Sequence, residues 1–237
     1  MRNMITGVTL MVALGAGGAA TAKTKYPVMA PLAQYAMASE AAEVALARSA
    51  APPSIARDAS VMTLGEHGYE TVVKGSNGFV CIVERSWANG VLEEGFWNPK
   101  LRGPLCLNPA AARSVLPAYL ERTGWVLNGV SRAEIERRVR AAVAAGQYTL
   151  PEIGAMCFML SRNGYLGDEA GGPWHPHLMF FLPTGAGGPL SWGANLDGAP
   201  LFASSDPVEP VTIFFVPVAK WSDGTPDSGS GTVHRHV

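Results

Sequence analysis

The sequence predicts an α+β fold. It calls for an N-terminal helix and antiparallel strands, then central helices, then C-terminal antiparallel strands, all in one domain over residues 23–220. Three observations predict this. β-prone runs at 61–64, 69–73 and 79–83 are divided by short turns. Between 108 and 146 the chain carries helix start and stop residues in the right order. Two late segments, "HLMFFLP" and "VTIFFVPV", are apolar on both faces, as strands inside a covered sheet must be. A chain of 237 residues, 48% hydrophobic and 16% charged, has enough apolar surface for such a core.

The first 22 residues read as an export signal. Arg2 precedes the apolar run "ITGVTLMVALGAGGAA", and Ala20 and Ala22 set cleavage before Lys23. Glycines at 7, 15, 17 and 18 dilute the run, which argues against a permanent transmembrane helix. The mature protein is therefore expected to be soluble and periplasmic or secreted. Alanine-rich residues 31–51, stopped by Pro52 and Pro53, predict the first helix. The strands that follow form a meander, with Asn77-Gly78 of "GSNG" at a tight hairpin turn. Along the last strand Phe79, Cys81 and Val83 share one face. His67, in the turn "GEHG", reads as a solvated turn residue.

Asn108 and Pro109 open the next helix as cap and first helical residue; Pro117 kinks it and Gly124 closes it. Ser131 and Glu134 form a capping box, Val130 and Ile135 a hydrophobic staple, and Gly146 the left-handed stop. "TLPEIGAMCFMLSRNG" predicts a third helix, because Ile153, Met156, Cys157 and Leu160 form one stripe. Cys157 then reads as a packing thiol. "LSWGAN" and "APLFASS" are expected as short strands joined at "NLDG", and the polar tail 221–237 is expected to be disordered.

Function classes narrow by charge and motif. With 18 basic and 19 acidic residues there is no field to draw a nucleic acid. The basic stretch 131–140 is interleaved with Glu134 and Glu136, at spacings that pair them with Arg138 and Arg140 along a helix face. In an oxidising compartment Cys81 and Cys106 can form a disulfide worth about 3 kcal/mol; the alternative is two buried thiols. Neither the His-Glu-x-x-His, Cys-x-x-Cys, Gly-x-Ser-x-Gly nor Ser-x-x-Lys pattern occurs. Glu93-Glu94 and Asp168-Glu169 read as solvated loop charges, and the six tryptophans chiefly as pins for long loops.

The stretch "GGPWHPHLMFFLP" carries the candidate site. If it is extended, His175 and His177 lie on one side with Met179 and Phe181. Two neutral imidazoles can present nitrogen to a divalent transition metal, which makes His175 and His177 the candidate metal ligands. Asp168 could add an oxygen or orient a ring, and Trp174 could wall the site. Against this, no third ligand stands at a recognised spacing, and the histidines could simply end the strand by hydrogen-bonding nearby backbone.

The segments "AAPPSIARDASVM", "GSNGFVCIVER", "NPKLRGPLCLNP" and "WHPHLMFF" together resemble a group of exported bacterial proteins of unassigned activity. That resemblance covers most of the mature chain and implies export and a single domain; it brings no catalytic residue. The leading expectation is a small-ligand site formed by His175, His177, Asp168 and Trp174. A metal-assisted hydrolase, with Asp168 orienting a histidine base, is the second. A non-catalytic envelope structural or interaction protein, with helix 31–51 as its contact face, is the third.

Overall fold

The computed structural model describes residues 25–168, 174–186 and 188–228. The expected export signal lies outside them. Helices and an eight-stranded mixed sheet form an α+β fold, with strand order β2-β1-β3-β4-β5-β6-β8-β7. The strands are β1 (Ser60–Gly65), β2 (Gly68–Val73), β3 (Val80–Glu84), β4 (Gly103–Leu107), β5 (Met156–Met159), β6 (His177–Pro183), β7 (Phe202–Ser205) and β8 (Val211–Pro217). Every pairing is antiparallel except β1 with β3. Among the described residues no helix is long and apolar enough to cross a membrane.

The two sheet faces are covered by different helices. Helices α1 (Glu40–Arg48) and α2 (Pro53–Ala56), with the turn between them, bring small residues, Ala47, Ala50 and Ala56, against Val61, Cys81, Val83 and Cys106. The opposite face carries Ile82, Leu105, Cys157, Met159, Met179 and Phe181. It packs with residues of α3 (Pro109–Ser114), α4 (Leu116–Leu127) and α5 (Arg132–Ala144), among them Leu116, Tyr119 and Ile135. Cys81 and Cys106 stand opposite each other on β3 and β4 and form a disulfide.

Several expected elements take another form. The first helix begins at Glu40, not at residue 31, because Ser39 caps it by accepting from the Ala42 amide. The residues before it form a short 3-10 turn that buries Tyr35, whose hydroxyl donates to Trp97 O at 2.9 Å. The strands at 60–84 are not a simple meander: β2 pairs with β1 on the outside, and β3 runs parallel to β1 on its other side. The "GSNG" turn is tied to the α2–β1 corner. Asn77 donates to Ile55 O at 2.8 Å, and a Cβ on Gly75 would lie 2.3 Å from Ser60 N, so only glycine fits.

The predicted third helix at 149–164 contains strand β5 instead. Gly154 takes φ +81°, which breaks a helix, and Ile153 points fully into solvent. Inserted between β4 and β6, the segment buries Cys157 and Met159 on one face, a spacing of two. Helix α4 runs past Gly124 to Leu127, and the left-handed residue is Gly129 at φ +73°. "LSWGAN" is a 3-10 turn, not a strand, and "NLDG" closes no hairpin. Asn195 instead reaches the outer edge of β7, donating to Ala203 O and accepting from Ala203 N at 2.9 and 3.0 Å.

Apart from the Gly124 stop, the helix signals between 108 and 146 hold where they were placed. Asn108 and Ser131 cap α3 and α5, Pro117 stands at the break between α3 and α4, and Gly146 takes φ +65°. The pairs Glu134–Arg138 and Glu136–Arg140 form on α5.

Candidate functional site

Strand β6 enters the sheet at His177, and the residues just before it set the site. Pro176 has no N–H to give, but its carbonyl accepts from Val218 N at 2.9 Å, extending the contact with β8 by a rung. The polar tail turns back at this point. Residues 219–228 form a folded strap, where disorder was expected from 221 onward. Trp221, 8% exposed, anchors it; Ser222 N donates to Leu160 O at 2.9 Å, and Asp227 N donates to Ala219 O at 2.9 Å. The Arg162 guanidinium lies over the Trp221 ring and also bonds Thr225. Residues 229–237 lie outside the described residues.

The strap delivers a carboxylate to the first histidine. His175 Nδ1 and Asp227 Oδ2 are 2.6 Å apart, with the side chains 21% and 14% exposed. That bond places the Nδ1 proton toward the carboxylate and leaves Nε2 as the ring's second polar atom. His177 is held differently. Its Nδ1 donates to His175 O at 2.8 Å, and its ring lies edge-on between Trp174 and Phe215, at centroid distances of 5.1 and 5.7 Å. A backbone carbonyl can only accept, so Nδ1 carries the proton.

Trp174 packs beside the His177 ring. Its indole N–H bonds Ser161 O, and its ring lies on Gly164, where a Cβ would come within 3.2 Å of Trp174 Cζ2. Gly164 thus lets Trp174 and Pro104 close together. His177, Met179 and Phe181 share one face of β6, as an extended strand requires.

Asp168 does not supply the acid beside His175. Lys25 and Tyr26 engage its Oδ2, and Tyr165 engages its Oδ1, with Lys100 Nζ at 3.7 Å. The Lys25 contact first, then the two tyrosine hydroxyls, hold its carboxyl well below the usual range. Asp168 therefore pins the start of the described chain to the 164–168 loop. Glu169 and the glycines at 171 and 172 lie outside the described residues. Among the described residues no group of three or more His, Cys, Asp or Glu side chains is placed to hold a metal ion.

Among the charged groups that escaped the sequence reading, two stand together at the end of β3. Arg85 is fully buried, donating to Glu43 at 2.9 Å and to Tyr35 O at 2.7 Å. Glu84, half-buried at the end of β3, is pushed up to about 8 by burial, with Arg122 pulling the other way. The one signal for both is a charged pair, Glu84-Arg85, ending an apolar strand. Cys157 is buried and its thiol pushed up by desolvation, in keeping with a packing role. Of the tryptophans, Trp87, Trp97 and Trp221 are buried pins, whereas Trp192 stays 52% exposed.

No protein-family model, curated protein or solved structure matches this chain. The functional reading therefore rests on the side chains themselves.

Proposed function

We propose that this is an exported protein that binds a small ligand where β6 enters the sheet, with His175, His177 and Trp174 as its contact groups. The observation that carries the reading is the 2.6 Å bond between His175 and Asp227, across 52 residues of sequence. A buried structural histidine needs no such carboxylate; an imidazole meant to present Nε2 in one orientation gains one by it. The aromatic rings around His177 offer a flat apolar contact beside it. Export is supported by the leader-like N-terminus and by the Cys81–Cys106 disulfide, which persists in oxidising compartments.

The same pair favours a second reading, a hydrolase that uses His175 as general base with Asp227 as its orienting group. Saturation-transfer NMR with a mixture of small carboxylic acids, phenols and indoles tests the first reading. Contacts that vanish in both His175→Gln and Asp227→Asn support it; contacts unchanged in both variants, or none at all, refute it. Hydrolysis of p-nitrophenyl acetate above that of the His175→Gln protein would move the assignment to the second reading. A zinc titration of a chain ending at residue 228 tests the metal alternative, since His234 and His236 are then absent.

A further inference from the structure

At the far end of the sheet from the histidines lies a hollow of about 180 Å³, between the start of α1 and the hairpin of β1 and β2. Its polar walls are Ser39, Glu40, Glu43, Thr63 and Glu70; its apolar walls include Met37 and Val72. From these walls we infer a binding site for a small organic ammonium ion, a primary amine on a short alkyl chain.

Charge comes first. Three carboxylates border the space and no lysine or arginine lines it. Arg102 donates to the wall's Ala36 O at 3.0 Å, and Arg85 binds Oε1 of Glu43. Oε1 also accepts from Leu64 N at 3.1 Å, whereas Oε2 accepts no hydrogen bond from any described residue. The walls therefore carry net negative charge and spare acceptors.

The second, independent observation is Thr63. It is 7% exposed, it lines the hollow, and its hydroxyl makes no hydrogen bond to a described residue. A hydroxyl left open at a hollow's wall is an acceptor for an incoming donor. The Glu70 carboxylate lies over β1, its Oε1 3.4 Å from where a Cβ on Gly65 would stand.

The class of ligand follows from the spread of these groups. A bare metal ion needs several ligands converging within about 2.5 Å of one point, and no such group of three exists among the described residues. An ammonium group has three donors fanning outward and an aliphatic stem, which match spaced acceptors and a wall of Met37 and Val72.

The test is a ¹⁵N-¹H NMR titration of the whole chain with putrescine, with n-butanol as the uncharged control. The expected result is saturable shifts confined to the amides around Ala42 and 63–65, absent with butanol. Thr63→Val should weaken binding several-fold, and the double variant Glu40→Gln/Glu70→Gln by about tenfold or more. Both variants spare Glu43, whose loss would strand Arg85, and a spectrum matching the parent elsewhere verifies their folding. Shifts that rise without saturating, that spread over other acidic surfaces, or that persist unweakened in both variants overturn the proposal.

Discussion

At the scale of single residues, two titratable groups give the clearest expectations. Glu84 binds its proton more tightly in the folded protein, at about 8, than in the unfolded chain, where it titrates near about 4.3. A raised carboxyl contributes stability that is fully present below the unfolded value and is lost as pH rises through the folded one. Urea unfolding midpoints should therefore fall between about pH 4 and about pH 8, and Glu84→Gln should flatten that fall. An equal slope in both proteins would assign the pH dependence elsewhere. Asp227→Asn keeps the shape but weakens a charge-assisted bond, so its unfolding free energy should drop by about 1 kcal/mol near neutral pH. The residue scale is also where the candidate site was least legible. "WHPH" announced the imidazoles and Trp174, but their acid is Asp227, in a segment that reads as polar tail. Asp168 was the nearer carboxylate in sequence; proximity along the chain carries little information when a strap folds back from the far end.

Elements were legible in proportion to how local their signals are. The caps at Asn108 and Ser131 act on amides three residues away, at Ala111 and Glu134, so the sequence contains the whole interaction. Removing one, in Ser131→Ala, should cost about 1 kcal/mol in a denaturant titration, with its loss of structure confined to α5. Strand β5 is the opposite case. Its apolar residues fit a helical stripe, and what makes it a strand is the slot between β4 and β6, formed by residues distant in sequence. The same holds for "GSNG": its Asn-Gly pair favours a tight turn, but β1 is shared between β2 and β3, so that turn serves a parallel pairing. The disulfide links strands already paired, at a sequence separation of 25. Replacing both by alanine should lower stability by about 3 kcal/mol, read from unfolding midpoints with and without reductant. Reductant should shift the parent toward the variant and leave the variant unmoved.

For the whole molecule, the α+β class followed from composition and from the order of strand-like and helix-like segments, while the strand order did not. A mixed sheet with helices on both faces buries its middle most completely. Every residue of β4 is buried, whereas β2 and β7 stand at the edges. Hydrogen exchange should accordingly be slowest in β3 and β4 and fastest in β2 and β7. Uniform protection across the sheet would show that it opens only as a unit.

The Asn195 side chain on Ala203 bears on how this sheet ends. An uncovered outer strand invites a stranger's backbone to zip alongside it, and at that rung the amide already occupies both docking points. The molecule has, in effect, a stopper on its growing margin, made from one carboxamide. Pulling it out, as Asn195→Ala would, should raise self-adhesion above that of the parent, visible as light scattering that rises faster on storage.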